Sequence, residues 1–190
     1  MSEPKNRIPL LERDQVTTEL APLYDKLLNE RGVVPNMFKT VAHVPALALG
    51  FAAFLKPLMG DGHLPALYKE LVATRVAFLN QCEYCVSSHS YLARLAGGTD
   101  EQIKGIENPE NGPFNDREKA GFRYADAIHP SAHAIDDAVY ASARQYFTNE
   151  EMIELTAVAA AFEFFPRFVN ALAIPTTPVP EQLPTRKAQK

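Results

Sequence analysis

The sequence predicts an all-α protein. Apolar residues recur every three or four positions in several segments, and stretches rich in proline, glycine and asparagine separate these segments. No segment has the pattern of a strand. The chain has 190 residues, of which 46% are hydrophobic, enough for a single globular domain with its own core.

The first half of the chain contains three predicted helices. Apolar residues share one face from Val16 to Glu30, and the pair Arg31-Gly32 ends that helix. A short helix follows at residues 37–43, after the proline of VVPNMF. A largely apolar helix then runs over residues 45–59, up to the glycines of GDGH.

The middle of the chain contains a pair of helices joined at Asn80-Gln81. The segment ALYKELVATRVAFL forms the first helix after Pro65, a residue suited to a first helical turn. The second helix runs from Cys82 to Ala96 and closes at two glycines. The next helix begins at Thr99 with the pattern of a capping box.

Three more helices complete the prediction, and the last is the hardest to predict because proline lies inside it. HPSAH breaks the first of the three, and Pro166 must kink or interrupt the last. The helices lie at residues 116–128, 135–146 and 148–169. We expect one helical domain over residues 1–174 and a proline-rich tail over residues 175–190, either loose or extended along a neighbouring subunit.

Charge and hydropathy restrict the partners. Nineteen basic and 23 acidic residues give a net charge of -4, with no basic stripe for nucleic acid. The N-terminal stretch MSEPKNRIPLLERDQ lacks the apolar core of a signal peptide, and no run approaches the roughly 18 apolar residues of a membrane helix. We expect a cytoplasmic protein with no nucleic-acid or membrane partner.

The segment NQCEYCVSSHSYLARLAGG holds both cysteines of the chain, Cys82 and Cys85, and also His89. Spacings of three and four residues place the three side chains on one helical face. The first turn of a helix brings two such cysteines within disulfide range, and the helix N-terminus favours the thiolate form. The spacing therefore predicts a redox-active pair.

Two polar neighbours complete a candidate site. His89 is placed to take a proton from Cys85, and a carboxylate beside it would hold the imidazole in place. Glu70 is the natural candidate, provided that the turn at Asn80-Gln81 folds its helix back onto the next. Tyr84 lies between the cysteines, where its hydroxyl would orient water or substrate, or simply pack.

Other interpretations of the same residues stay open. Cysteine is often a plain buried residue. Zinc held by Cys82, Cys85, His89 and a fourth ligand such as Glu70 is chemically allowed. Covalent haem is excluded because Val86, not histidine, follows the second cysteine. We assign no cofactor to the preferred interpretation and keep the zinc site as an alternative. A disulfide reductase or redox sensor without peroxidase activity is a further alternative.

Two remaining groups of residues are interpreted as structural. Four histidines have no cysteine or carboxylate at a convincing sequence spacing. An aromatic stripe in the last helix predicts a core or subunit interface more strongly than a pocket wall. These residues are His43, His63, His129 and His133, and Phe162, Phe164, Phe165 and Phe168.

The pattern formed by Glu70, the CEYC segment, His89 and the glycines at 97–98 resembles the carboxymuconolactone decarboxylase/alkylhydroperoxidase AhpD-like family. VVPNMFKTVAHVPAL and FVNALAIP resemble its peroxidase-related branch. The resemblance covers most of residues 7–175. It implies an AhpD-like helical bundle in an interlocked homo-oligomer, dimeric to hexameric.

The resemblance also implies an activity, the reduction of alkyl hydroperoxides by the dithiol, recycled by a thiol or dithiol reductant. It makes Cys85 the residue oxidised to sulfenic acid. Cys82 then forms the disulfide and meets the external reductant, while Glu70 and His89 relay the proton. Helix-dipole reasoning alone favours Cys82 as the nucleophile, but Cys85 is nearer to His89, and we assign the attack to Cys85.

One position departs from the family pattern. AhpD itself has histidine between the two cysteines, where this chain has Tyr84. Tyrosine is a poorer base near neutral pH, so a shorter relay and a lower peroxidase rate are expected. The decarboxylases of the superfamily lack the cysteine pair, which argues against decarboxylation.

Overall fold

A computed structural model describes residues 6–180, and the prediction of an all-α protein is confirmed. Within this range the chain forms helices and short 3₁₀ turns and contains no strand. The helices are α1 (Ala21–Arg31), α2 (Asn36–Val41), α3 (Pro45–Met59), α4 (Ala66–Leu79), α5 (Glu83–Leu95), α6 (Asp100–Gly105), α7 (Asp116–Ser131), α8 (Asp137–Arg144) and α9 (Asn149–Ala171).

The predicted helix ends at Gly32 and Thr99 are confirmed by their cap geometry. Gly32 follows α1 with a φ of 71°, the left-handed conformation that glycine adopts without a Cβ clash. Thr99 and Gln102 form a reciprocal capping box at the start of α6. These local signals fix where the chain turns before any tertiary contact is counted.

Helix α4 lies at the centre of the bundle. It packs against α5, α7 and α9. Apolar side chains therefore surround it, and Val72, Ala73, Val76 and Ala77 have no exposed surface. A helix that is buried over most of its surface needs no broad polar face, which explains the apolar residues on several sides of α4.

A charged pair crosses the core between α4 and α9. The ammonium group of Lys69 is fully buried and lies 2.8 Å from Glu154. Lys69 also donates to the carbonyl oxygen of Gly60, and Glu154 accepts from the backbone N–H groups of His63 and Leu64. The buried charge is thus paired and hydrogen-bonded, as burial in a core requires.

The sequence predicts that Pro166 kinks or interrupts the last helix, and α9 continues through Pro166 without an interruption. Proline has no N–H, which leaves the carbonyl oxygen of Phe162 without its helical partner. The side-chain amide of Asn80 approaches that oxygen at 3.5 Å. Packing of the buried residues Phe165 and Val169 on either side of Pro166 keeps the helix in place.

The expected break at HPSAH comes later than predicted. Helix α7 includes Pro130 and ends at Ser131, and a 3₁₀ turn over Ala132–Ala134 follows. Proline lies in the last turn, where one missing hydrogen bond disturbs little of the helix. The neighbouring Ile128 is buried and holds this turn against the core.

The described start of the tail, residues 175–180, packs against its own chain. The side chain of Asn36 donates to the carbonyl oxygens of Pro175 and Thr176, and its backbone N–H donates to the hydroxyl of Thr177. The rest of the predicted tail, residues 181–190, lies outside the described residues. The division into a domain and a tail therefore stays a prediction.

No helix in residues 6–180 combines the length and the apolar character needed to cross a bilayer.

Candidate active site

The joint between α4 and α5 is a Schellman turn with glutamine in the left-handed position. Gln81 has a φ of 52° and donates its N–H to Phe78, while the N–H of Cys82 bonds to the carbonyl oxygen of Ala77 at 3.0 Å. Asn80 fixes the turn from outside through a 3.0 Å hydrogen bond to Glu163 of α9. The turn therefore ends α4 and delivers Cys82 directly to the start of α5.

The two cysteines form a disulfide at the N-terminus of α5. Cys82 is the N-cap residue, and its sulfur accepts a hydrogen bond from the backbone N–H of Cys85 at 3.2 Å. The Cα atoms are 5.3 Å apart, within the usual disulfide range. Cys82 has no exposed surface and Cys85 retains 3%.

The structure brings Glu70 and His89 together. Oε2 of Glu70 on α4 lies 2.6 Å from Nδ1 of His89 on α5. Glu70 is buried, and the imidazole and the ring of Phe162 form a T-shaped pair with 4.4 Å between centroids. A neutral imidazole that donates Nδ1–H to this carboxylate leaves Nε2 free to accept a proton.

Tyr84 points its hydroxyl at structural partners. The oxygen accepts hydrogen bonds from the backbone N–H of Met37 at 3.0 Å and from the hydroxyl of Thr177 at 3.2 Å. Burial raises the pKa of this phenol, although the hydrogen bonds partly oppose the shift. Tyr84 thereby connects α5 to the start of α2 and to the tail.

A mostly apolar pocket opens beside the disulfide. It spans about 740 Å³ of space free of atoms, counted out to its open mouth. Cys85, His89 and Glu70 lie in its wall, whereas Cys82 does not. The apolar lining comes from five parts of the chain and includes Pro35, Met37, Phe38, Leu55, Met59, Leu92, Phe162, Phe165, Val169 and Val179.

Sequence reasoning missed most of this pocket. Phe162 and Phe165 belong to the core, as predicted, but they also line the pocket. Met37, Thr177 and Val179 were not placed near the cysteines at all. The only sequence signals were the proline break in VVPNMF and the four prolines of the tail, which favour extended backbone able to lie along a helix.

A second histidine and carboxylate meet on the other side of α9, which the sequence spacing did not reveal. Nδ1 of His129 lies 2.7 Å from Oε1 of Glu163. Glu163 also accepts from Asn80 and from the guanidinium of Arg167. Neither His129 nor Glu163 lines the pocket with Cys85.

The described residues contain no group of three or more histidine, cysteine, aspartate or glutamate side chains that could hold a metal ion. Glu70 and His89 bond to each other, and the two cysteines bond to each other. The zinc alternative therefore gains no support from residues 6–180.

The fold and the site define a class: an all-helical protein with a CxxC disulfide at a helix N-terminus, beside a glutamate-histidine pair and an apolar pocket. Residues 45–127 match the model of the carboxymuconolactone decarboxylase family. This match, over less than half of the chain, supports the AhpD-like family that the motif predicts. The matched segment contains Glu70, both cysteines and His89.

Similar proteins cover nearly the whole chain. An uncharacterized Escherichia coli protein, YnjA, is 27% identical over 175 residues, covering 90% of this chain and 91% of its own. The crystal structure of an uncharacterized peroxidase-related protein from Ralstonia eutropha, described as an alkylhydroperoxidase AhpD core, has a TM-score of 0.84 at 24% identity. That alignment covers 93% of this chain and 94% of the other.

A third similar protein is named for its activity. A variant of the debrominase Bmp8, crystallised with 2,3,4-tribromopyrrole, has a TM-score of 0.81 at 22% identity and covers 93% of this chain and 94% of its own. At this level of identity the likeness shows a shared fold. The fold by itself therefore does not fix the activity of this chain.

Proposed function

We propose that this protein is a CxxC-dependent thiol peroxidase that reduces organic hydroperoxides. One observation carries the proposal: Cys85 reaches an apolar pocket whose wall also holds the hydrogen-bonded pair His89 and Glu70. A nucleophile, a base and a group that orients the base are the parts that thiol catalysis needs. The relationship to peroxidase-related proteins of the same fold adds support.

The reduced site would run the reaction in two steps. The thiolate of Cys85 attacks the outer oxygen of the hydroperoxide, so that an S–O bond forms and the O–O bond breaks. The departing alkoxide takes a proton from His89, giving an alcohol and a sulfenic acid on Cys85. Cys82 then attacks that sulfur, which forms the disulfide and releases water.

Glu70 acts on this chemistry through His89. Its carboxylate holds Nδ1–H, which keeps Nε2 directed at the proton to be moved and stabilises the imidazolium that forms. Tyr84, the remaining predicted site residue, positions α5 against α2 and the tail through its two hydrogen bonds. We assign it a positioning role.

The lining of the pocket favours a hydroperoxide with an apolar body over hydrogen peroxide. Most side chains around Cys85 are aliphatic, aromatic or methionine, and they gain from burial of apolar surface at about 25 cal/mol per Å². Hydrogen peroxide offers no such surface. We therefore expect kcat/KM to rise as the substrate becomes more apolar.

We also propose self-association through α3. This helix is largely apolar, yet only Ala48 and Leu58 of its fifteen residues are buried. Val44 before the helix and Phe54 within it keep more than half of their surface exposed. A second copy of the chain would cover this apolar face. Size-exclusion chromatography with light scattering tests this, and a monomer would contradict it.

Thiol counting tests the peroxidase proposal. Reduced, metal-free protein is mixed with about one equivalent of cumene hydroperoxide, and free thiols are counted before and seconds after mixing. We expect both thiols of the parent to disappear. Cys82→Ser should instead trap a sulfenic acid on Cys85, and Cys85→Ser should keep its thiol. Survival of both thiols in the parent would refute the proposal.

A second candidate is reductive dehalogenation of an aromatic substrate. The aromatic rings of Phe162 and Phe165 in the pocket wall suit a flat ring, and the debrominase Bmp8 shares the fold. The net reaction would turn an aryl bromide and the dithiol into the arene, the disulfide and hydrogen bromide. Bromide release from a bromopyrrole by reduced protein, absent in Cys85→Ser, would support it.

The two remaining alternatives are separated by simple measurements. A disulfide reductase or redox sensor would exchange with a small disulfide faster than it reacts with any peroxide. A non-catalytic zinc-binding oligomer would be purified, without chelator, with nearly one zinc per chain. Rates with both oxidants and the metal content of the same preparation therefore rank these alternatives against the peroxidase.

A further inference from the structure

We infer that the reductant that recycles the disulfide is a small thiol, which enters through the substrate pocket and attacks Cys85, leaving Cys82 as the thiolate that departs. The inference rests on the proposed function, because it takes the Cys82–Cys85 disulfide to be the oxidised form of a catalytic cycle. It differs from the role that family resemblance gives Cys82, which is to meet the external reductant.

Access separates the two sulfurs. Cys82 has no exposed surface and does not line the pocket. Cys85 keeps 3% of its surface exposed and lies in the pocket wall. Thiol-disulfide exchange needs the incoming sulfur to touch the sulfur that it attacks. These exposures belong to a single chain, and association with another copy can only cover more surface. A second copy packed against this conformation of the chain therefore leaves Cys82 buried.

The shape of the entrance selects the size of the reductant. Cys85 lies within a wall built from α2, α5, α9 and the segment 175–180, where Val179 stands near the solvent with 40% of its surface exposed. A small thiol needs to bring only its own few atoms through the open mouth of the pocket. A folded protein would have to bring a cysteine past that wall.

The stability of the leaving thiolate also favours attack at Cys85. Attack at Cys85 expels Cys82, whose sulfur already accepts the N–H of Cys85 at the start of a thirteen-residue helix. This N–H and the helix dipole stabilise a thiolate, and a better-stabilised thiolate leaves faster. Attack at Cys82 would expel Cys85, which holds no such cap.

The reduction balances with two thiols. The first thiol gives its proton to His89 and its sulfur bonds to Cys85, so the disulfide breaks and Cys82 departs as a thiolate. A second thiol attacks the sulfur of the first, forming a small-molecule disulfide and releasing Cys85. The two protons of the thiols end on the two cysteines, so two electrons pass from the small thiols to the protein.

The test maps the mixed disulfide. Protein oxidised with diamide is mixed with glutathione, quenched with acid within seconds and alkylated with N-ethylmaleimide in denaturant. Cleavage after Glu83 separates the two cysteines, so mass spectrometry reads each one alone. We expect glutathione on Cys85 and the alkyl group on Cys82, with a preference of about tenfold or more. Glutathione mainly on Cys82, or shared equally, overturns the inference.

A pair of variants tests the route of entry. Val179→Trp narrows the pocket, whereas Phe78→Trp is a matched control because Phe78 is also 40% exposed but lies outside the pocket. We expect Val179→Trp to slow reduction by glutathione several-fold and the control to leave it unchanged. Unchanged reduction in Val179→Trp, or faster turnover with thioredoxin than with a small dithiol at equal thiol concentration, overturns the inference.

These outcomes are separate from those of the proposed function. The disulfide is made with diamide, so the mapping needs no reaction with peroxide. Failure of the peroxidase proposal would appear as surviving thiols after cumene hydroperoxide, whatever the position of the glutathione.

Discussion

Two histidine-glutamate pairs of nearly equal geometry lie on either side of α9. The pair of His89 and Glu70 has a contact of 2.6 Å, and that of His129 and Glu163 a contact of 2.7 Å, both through Nδ1 of the imidazole. The first pair lies in the wall of the pocket with Cys85. The second faces Arg167, which shares its carboxylate.

The difference teaches that an acid-base pair gains a chemical role from its surroundings. Glu163 already accepts from Asn80 and Arg167, so its charge serves to fix the α4–α5 joint to α9. Glu70 has His89 as its one side-chain partner among the described residues. Under the proposed function, only the pair with a cysteine within one helical turn and a pocket beside it would take part in the chemistry.

The largest expected effect distinguishes the two histidines. His89→Gln should slow the reaction of the reduced protein with cumene hydroperoxide near neutral pH by about 100-fold, the usual contribution of a positioned base. His129→Gln should stay within about twofold, because its ring does not reach the pocket. Stopped-flow thiol loss gives both rates. An equal fall in rate in both variants would contradict the different roles assigned to His89 and His129.

A third charged pair should affect stability without affecting the reaction. Glu154→Gln leaves the buried Lys69 without its carboxylate and should lower the free energy of unfolding by about 2 kcal/mol, less than the 3–5 typical of fully buried pairs, because Glu154 is 22% exposed. Urea unfolding at pH 7 measures this. The initial rate with peroxide should not change.

The same residue predicts an acid transition. Burial would raise the pKa of Glu154, but the hydrogen bonds from Lys69 and from two backbone N–H groups lower it to about 2. The folded pKa lies below the ordinary value of 4.5, so the carboxylate stabilises the fold above pH 4.5 and loses that contribution as the pH falls towards 2. Glu154→Gln should therefore lose less stability over this range than the parent, and an equal loss would contradict the assignment.

Substitution of Glu70 and of Glu163 should give rates of peroxide reduction that differ by about tenfold. Glu70→Gln replaces a charge-assisted hydrogen bond of roughly 1.5 kcal/mol and should slow peroxide reduction by about one order of magnitude. Glu163→Gln should instead lower stability slightly and leave the rate constant unchanged. The pH profile of the rate should shift only in Glu70→Gln. A shift in both variants would show that the second pair also reaches the reaction.

The smallest expected effect concerns Tyr84. Tyr84→Phe removes the acceptor for Met37 and Thr177, which should lower the free energy of unfolding by about 1 kcal/mol. The rate with peroxide should change by less than about twofold, as expected of a positioning residue. A large fall in rate with unchanged stability would show that the hydroxyl takes part in the chemistry.

Local sequence signals predicted most of the helices because their physics is local. Gly32 ends α1 and Thr99 starts α6 through interactions within a few residues. The same holds for the shared face of Cys85 and His89, because helical periodicity alone decides it. Of the two outcomes predicted at Pro166, a kink or an interruption, the interruption does not occur, and Asn80 from outside α9 approaches the carbonyl oxygen that proline leaves without its usual partner.

Contacts between distant segments were decided by tertiary structure alone. The sequence suggested that Glu70 would meet His89, but the 2.6 Å contact depends on how the turn at Asn80 and Gln81 packs α4 against α5. Nothing in the spacing of 34 residues linked His129 to Glu163. The burial of Cys82 was equally invisible, because exposure depends on every element packed around a residue.

The sequence by itself therefore determined most of the helices, the CxxC motif and the helical face that its cysteines share with His89. The tertiary structure decided which sulfur reaches the pocket, which glutamate holds which histidine, and that residues 175–180 complete the pocket wall. The physical reason is the distance along the chain over which each kind of interaction acts. Helix caps and periodicity act over a few residues, whereas a pocket is a property of surfaces that come from five separate parts of the chain.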